Sequence, residues 1–380
     1  MESKYLLITY DFPPAGGGIS RYYHNIFRHF PSREIVVWSV RNAGEDDITE
    51  IDGIKIIRSK LKGSQIHNAP SLLHCSAELT RIIRSEKPTF LLCGNIRPFG
   101  PVTYLLARRF NIPFAVLTHG FDIARALMKM GRNPLYGLLH RKVLEESSWI
   151  VTNSSYTKNL IIGKFPSAKK RTEIVHPGVD TDQFVPSRRK WKDPMLLSVG
   201  RLTERKGVDE VIRSLPAVLK EYPRLTYNVV GDGDYRQTLD ELAGELDLRD
   251  KVIFHYDVED KELKSWYDRS DIFLMVTKPV RRAEDFEGFG IVYLEASASG
   301  LPVIASSLGG VSDAVVDNRT GLLVKPEPGE ISRAILRLLG NKNLRDKLGK
   351  NGRERCVREF QWKYSSRKLR LLLQKAPAGD

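Results

Sequence analysis

The sequence predicts an α/β protein built from two doubly wound, Rossmann-like domains that face each other across a cleft. Three observations carry that expectation. Short apolar runs alternate with segments of helical periodicity along almost the whole chain. The alternation stops and begins again near the middle. Between the two series lies DTDQFVPSRRKWKDP, polar and Pro-bearing, which reads as a linker. At 380 residues the chain is long enough to bury two cores.

Each element follows from its local pattern. KYLLITY is a short apolar run that stops at the turn residues DFPPAGGG, and ISRYYHNIFRHF then has helical spacing. EIVVWSV, TFLLCGN and FAVLTHG are further buried-strand candidates, each followed by a loop and a helical pattern. The second series gives strands at MLLSVGR, LTYNVVGDG, KVIFHY, DIFLMVT, PVIASS and GLLVKP, with helices between them. The tail DKLGKNGRERCVREFQWKYSSRKLRLLLQK reads as one or two helices. The expected domains are 1–183 and 184–356, with a C-terminal helix in 357–380 packing back on the first.

Composition is that of a soluble globular protein, 41% hydrophobic and 28% charged. Three cysteines (Cys75, Cys93, Cys356) have neither metal nor redox spacing and suit a reducing compartment. The first residues hold too few apolar positions for a signal peptide, and no run approaches the roughly 20 apolar residues of a membrane span. The expected address is the cytoplasm. Net charge is +14, of which about +9 falls before residue 185. Such an excess serves either as a solubilising surface or as a peripheral contact with an anionic membrane face. Nucleic acid is disfavoured as a partner, because neither zinc-finger spacing nor an RNP-type aromatic pattern is present.

In open α/β sheets ligands sit at the carboxyl ends of the strands, so the loops just after strands are the informative ones. After the first strand, Gly16, Gly17 and Gly18 lead into a helix. Consecutive glycines let backbone approach a ligand, and a helix N-terminus favours anions; a plain tight turn is the other reading. A dinucleotide fingerprint is missing, and in VVGDGDYR the residue Arg236 stands where its third glycine belongs. In GRLTERKG, Arg201 and Lys206 follow a strand. They suit a diphosphate or form a solvated charge pair. In EGFGIVYLEASASG, Glu287 is expected at a helix start with Glu295 two turns on, which places the acids within roughly 80° on one side of that helix. Carboxylates so placed accept hydrogen bonds from vicinal hydroxyls of a sugar or ribose, or are ordinary helix and surface acids. His119 after FAVLT is either a structural hydrogen-bonding residue or a site group.

Taken together, DFPPAGGGIS, THG, VTNSSYTK, HPGVDTDQF, SVGRLTERKG, VVGDGDYR and EGFGIVYLEASASGLPVIAS resemble, in order and over nearly the whole length, glycosyltransferase family 4. These are retaining enzymes of the two-domain GT-B fold. The closest look is to the GDP-mannose-dependent phosphatidylinositol mannoside mannosyltransferases, although TYDFPP departs slightly from their openings. The resemblance implies that the second domain holds a nucleotide-sugar. Arg201 and Lys206 would neutralise its diphosphate, making the reaction metal-independent, with no metal site and no cofactor beyond the donor. Glu287 would bind hydroxyls of the transferred sugar and Glu295 those of the ribose. The backbone at Phe289 and Gly290 would face sugar and phosphates. Gly17 and Gly18 would close on the diphosphate from the first domain, and His119 would lie near the anomeric centre or the 6-hydroxyl.

The implied reaction is transfer of a hexose, mannose from GDP-mannose being favoured, to a lipid-linked, glycolipid or polysaccharide acceptor on the basic first domain. That domain's stretch FDIARALMKMGRNPLYGLLHRKVLEES carries Arg125, Lys129, Arg132, Arg141 and Lys142 among apolar residues. It could lie on the inner face of the cell membrane or be an amphipathic helix pair with a solvated basic side. Alternatives are a UDP-sugar-dependent transferase of the same family, a nucleotide-sugar epimerase or phosphorylase, and a catalytically silent nucleotide-binding scaffold.

Overall fold

Eight strands order the first half of the chain. They are β1 (Tyr5–Thr9), β2 (Ile35–Arg41), β3 (Ile48–Ile51), β4 (Ile54–Lys62), β5 (Phe90–Cys93), β6 (Phe114–Thr118), β7 (Trp149–Thr152) and β8 (Thr172–Ile174). Their order in the sheet is β3-β4-β2-β1-β5-β6-β7-β8. All neighbours are parallel except the β3–β4 pair at one edge. Six more, β9 (Met195–Val199), β10 (Thr226–Val230), β11 (Val252–His255), β12 (Ile272–Met275), β13 (Val303–Ala305) and β14 (Gly321–Leu323), form a wholly parallel sheet in the order β11-β10-β9-β12-β13-β14. The structure, a computed structural model, describes residues 3–41, 46–62, 65, 68–130, 134–187, 193–256, 258–280 and 286–375; Arg132 lies outside them.

The central strands are apolar runs because helices cover both faces of a parallel sheet. β1 and β6 are buried at every residue, and so is β12. Each strand expected from the sequence is found. The expected series lacked β3 with β4, and also β7 and β8. β3 alternates exposed and half-buried positions, an edge pattern with no apolar run to betray it. It turns into β4 through Asp52 and Gly53, both at positive φ (49° and 77°), the geometry of a tight hairpin.

The chain divides into two units, Met1–Pro177 with Trp362–Asp380, and Gly178–Gln361. Gly178–Gln361 takes in the start of the polar stretch because Val179 and Phe184 are buried in that unit's core, and the Val179 N–H donates to the Phe360 carbonyl at 2.7 Å. In the first unit the helices are α1 (Gly18–Phe27), α2 (Ala69–Glu86), α3 (Ile96–Phe110), α4 (Phe121–Met130), α5 (Pro134–Glu146) and α6 (Ser155–Lys164). In the second they are α7 (Val208–Leu219), α8 (Arg236–Glu245), α9 (Asp260–Arg269), α10 (Ile291–Ala298), α11 (Val311–Ala314), α12 (Pro328–Gly340) and α13 (Lys342–Glu359). The last helix, α14 (Trp362–Gln374), belongs to the first unit. There Arg370 grips Glu34 with two hydrogen bonds of 2.6 and 2.9 Å, and Trp362 packs edge-on to Tyr22 of α1.

In the second unit the loops after β9 and β12 are bound backbone to backbone. Arg205 accepts from the Lys278 N–H at 2.9 Å. Gly207, at φ 69°, sits so close to the Val276 carbonyl that a Cβ would lie 1.9 Å from that oxygen. Lys278 returns to α7 through ion pairs with Asp209 and, at 3.1 Å, Glu210. Gly207→Ala should therefore destabilise the unit by at least about 1–3 kcal/mol, from left-handed strain and forced separation of the loops. Gly16→Ala, with open space at its Cβ, should leave the urea midpoint unchanged or slightly raised. An unchanged midpoint for Gly207→Ala would show that the two loops are not in contact.

Candidate active site

The two cations expected at the end of β9 are placed differently. Arg201 follows Gly200 and is exposed. Lys206 closes a single 3₁₀ turn, Glu204–Lys206, and is largely buried. Its Nζ donates to Glu287 Oε2 at 2.6 Å. Arg205, which the sequence reading passed over, donates to the same oxygen from Nη1 at 2.8 Å. Arg205 stands directly beside Lys206 in TERKG, but nothing in the sequence tells which of two adjacent cations turns inward. A recess of about 210 Å³, counting its open mouth, is lined by Gly200, Arg201, Lys206 and Met275 among others.

Glu287 does not begin a helix. α10 starts at Ile291 with Gly290 as its cap, so Glu287 lies three residues ahead of that cap. The expected placement of Glu287 and Glu295 on one side of one helix therefore does not hold. The reason is local: Gly290 has φ 87°, and a Cβ there would strike the Tyr293 ring at 2.5 Å, so helical geometry begins only after it. Glu287 is fixed instead by its side chain to the β9 loop and by its carbonyl, which accepts from the Gly310 N–H at 2.8 Å. Glu295, in the second turn of α10, is 2% exposed and accepts from Tyr267 Oη of α9 at 2.8 Å. Phe289 turns its ring into the core, against Phe360.

Charge decides the character of this site. Burial raises the pKa of Glu287, but the charges of Lys206 and Arg205 outweigh it and bring the group to about 2. Lys206 is held below its ordinary value, by burial first and then, against the pull of Glu287, by Arg205 and Arg201. The same neighbours act in both shifts: Lys206 and Arg205 on Glu287, and Arg205 and Arg201 on Lys206. Cations crowded in this way at a strand end would favour a diphosphate.

In the first unit Gly17 caps α1 at φ 107°, and a Cβ on Gly17 or Gly18 would meet nothing within 4 Å. The same helix carries Tyr23, whose hydroxyl meets His119 Nε2 at 2.8 Å. Tyr23 was missed because YY in a helical pattern reads as core. The rings of Tyr22 and Tyr23 stand edge-on to the imidazole at 4.7 and 5.0 Å. Tyr23 gives its own proton to the Gly94 carbonyl, which only accepts. Its oxygen must then accept from His119, so Nε2 carries the hydrogen and Nδ1 keeps a lone pair. Burial pushes the His119 pKa down to about 3, so the ring stays neutral at working pH. Around it, Asp122 Oδ1 accepts from the His119 N–H (3.0 Å) and Thr118 (3.1 Å), and Asn153 donates to the His119 carbonyl (3.1 Å). Among the described residues no group of three or more His, Cys, Asp or Glu side chains is placed to hold a metal, and no helix is long and apolar enough to cross a membrane.

Two parallel-sheet units of this kind, with cations and an acid at the strand ends of the second, define the GT-B class of glycosyltransferases. Residues 16–183 match the family described as Glycosyltransferase Family 4, and residues 179–355 match Glycosyl transferases group 1. The chain belongs to glycosyltransferase family 4 and is a glycosyltransferase. It is 29% identical to a GDP-mannose-dependent alpha-(1-6)-phosphatidylinositol monomannoside mannosyltransferase of Mycolicibacterium smegmatis, covering 97% of each chain. It is 22% identical to a glycogen synthase of Mycobacterium tuberculosis, over 94% of this chain and 91% of that one. Among solved structures it is similar to sucrose-phosphate synthase from Thermosynechococcus elongatus (TM-score 0.82, 22% identity, 98% of each chain). It is also similar to Anabaena HepE in complex with UDP and glucose (TM-score 0.74, 16% identity, 98% of this chain and 100% of that one).

Arg205→Gln should cost about 1.5–3 kcal/mol of transition-state stabilisation, roughly ten- to a hundred-fold in kcat/KM, because a charge-assisted contact to Glu287 is lost. It should also move a pH limit. The depressed pKa of Glu287 makes its ion pairs a source of stability present above about 4.5 and lost as pH falls toward about 2. Removing Arg205 raises that pKa, so thermal melts of the variant should weaken at higher pH than wild type; parallel acid limbs would refute the pairing. For His119→Gln the kcat/KM profile should fall without changing shape between about pH 5 and 8. An ionisation near 6.5 that vanishes in this variant would mean the ring titrates.

Proposed function

We propose that the protein is a retaining mannosyltransferase that moves mannose from GDP-mannose to a glycolipid acceptor. One observation carries the donor side: the buried Glu287 carboxylate bound by Lys206 and Arg205, with exposed Arg201 beside them. That arrangement offers an acceptor for sugar hydroxyls and an excess of cations for a diphosphate. The choice of GDP-mannose draws on the relatives that share 29% identity over nearly the full length and are GDP-mannose-dependent. Exposed Met128 and Leu138 beside exposed Arg125, Lys129, Arg141 and Lys142 favour an acceptor carried in a lipid surface.

In the reaction the bond between the anomeric carbon and the diphosphate oxygen breaks, and its electron pair leaves with the diphosphate. The acceptor oxygen bonds to the anomeric carbon on the same face, and its proton passes to the leaving phosphate. Lys206 and Arg201 stabilise the charge that develops on the diphosphate. Glu287, released by Lys206 but still held by Arg205, positions the sugar through its hydroxyls. Glu295 accepts from the ribose beside Tyr267. In the first unit, Gly17 and Gly18 leave backbone open for an anion, and neutral His119 offers an Nδ1 lone pair to a hydroxyl. With cations in these places the reaction needs no metal.

Arg201→Ala and Lys206→Ala should each cost a few kcal/mol, about a hundredfold or more in kcat/KM, in folded protein. Activity should survive exhaustive chelation; loss that Mg²⁺ restores would overturn the charge argument. Calorimetric titration should show GDP binding at least about tenfold tighter than UDP, a gap of about 1.4 kcal/mol. The reverse preference would exclude GDP-mannose and leave a UDP-sugar transferase of the same family.

A further inference from the structure

The loop between β9 and α7 carries Arg201 near one end and Lys206 near the other, and two residues from other loops grip it. Tyr235, after β10, donates its N–H to the Leu202 carbonyl at 3.1 Å. Lys278, after β12, donates its N–H to the Arg205 carbonyl at 2.9 Å. The first grip falls beside Arg201 and the second beside Lys206. Both gripping residues then send their side chains to one atom. Tyr235 Oη donates to Asp209 Oδ2 at 3.2 Å, and Lys278 Nζ donates to the same oxygen. Asp209 stands in the first turn of α7, three residues after Lys206.

This meeting point differs from a surface ion pair. Asp209 is buried, 4% exposed. Lys278 is held above its ordinary value: burial would lower it, but hydrogen bonds and charge from Asp209 and Glu210 outweigh the burial. Asp209 Oδ1, by contrast, is buried with no hydrogen-bond partner among the described residues. A buried carboxylate that uses only one of its oxygens costs stability, so a favourable charge at a helix start does not account for it. The loop after β10 also approaches closely. A Cβ on Gly233 would lie 2.3 Å from the Leu202 carbonyl oxygen, and the Leu202 N–H donates to the Asp232 carbonyl at 2.9 Å.

We propose that Asp209 is a positioning residue for diphosphate binding: through Tyr235 and Lys278 it fixes both ends of the loop after β9, and so the placement of Arg201 and Lys206 relative to each other. The inference rests on the diphosphate reading of those two cations given above. Glu287 fixes Lys206 through its side chain. Arg201 is exposed, and the backbone next to it is what Tyr235 secures. A diphosphate carries two anionic groups at a set separation, so its affinity depends on cations held at a matching separation. A monophosphate has one such group and depends on that spacing far less.

The test is calorimetric titration of the full chain with GDP and with GMP, read as the ratio of the two affinities, beside urea unfolding of each variant. Asp209→Asn keeps the shape of the side chain and removes its charge; it should lower the GDP-to-GMP ratio at least about tenfold. Lys278→Met should do the same, and Lys278→Arg should restore most of the ratio. Tyr235→Phe removes one hydroxyl from a half-buried ring and serves where Asp209→Asn folds poorly; it should lower the ratio at least about threefold. Leu348→Ala, a core truncation on α13 of the same unit, should lower the urea midpoint and leave the ratio as it is in wild type. A wild-type ratio in Asp209→Asn and Tyr235→Phe overturns the proposal. So does an equal loss of GDP and GMP, or a shift of the ratio in Leu348→Ala, since either marks general destabilisation. UDP and UMP titrated in parallel separate the two readings. Wild type that prefers UDP defeats the GDP assignment and leaves the positioning result standing on the UDP-to-UMP ratio. Wild type that binds neither diphosphate better than its monophosphate overturns the diphosphate reading and the proposal together.

Discussion

The carboxylate of Glu287, buried against two cations, is the constraint on which the second unit's strand ends depend. A buried carboxylate stripped of its partners costs about 3–5 kcal/mol, so the loop carrying it and the loop carrying Lys206 and Arg205 hold each other in place. The backbone repeats the tie, from Lys278 to Arg205 and from Gly310 to Glu287. Loops following β9, β12 and β13 are thereby fixed without any of them being a regular element. The pairing also leaves Lys206 under repulsion from Arg205 and Arg201, against the pull of Glu287. A clamp that is stable without ligand and still electropositive is suited to exchange: a diphosphate can take Lys206 while Arg205 keeps the acid charged.

The first unit works by the opposite means. Its imidazole is neutral, its tautomer is set by a tyrosine whose proton is already given away, and its backbone is held by Asp122 and Asn153. A group so held contributes a directed lone pair and not a charge. Such a division fits a transfer in which charge develops on the leaving diphosphate, while the sugar and acceptor need orientation more than neutralisation.

How much of this was legible depends on whether a residue's role is set by neighbours in sequence or in space. The buried parallel strands were, because burial on both faces leaves an apolar run that no surface strand mimics. The edge hairpin β3–β4 was not, since ITEI alternates, although the Asp-Gly turn within IDGI was a usable sign. Arg201, Lys206, Glu287 and Glu295 stood out by type and by position after strands. Their mutual geometry did not. A glycine at φ 87° moved Glu287 off the helix, and a single 3₁₀ turn decided that Arg205 shares its oxygen. Tyr23 and Tyr267 looked like core aromatics, and they are buried; only the partner of each hydroxyl, His119 for one and Glu295 for the other, shows a second role.

Net charge acquires meaning only once it is divided by environment. A surplus of +14 spread over exposed lysines and arginines says little, and most such side chains here either face water or pair within a helix turn. The informative cations are those that the fold crowds together at a strand end. Among the described residues, Arg201, Arg205 and Lys206 lie so at the end of β9, where both arginines help hold Lys206 below its ordinary value. They follow a parallel strand, where the next helix can turn toward a ligand. An anion bound there would relieve the repulsion among them.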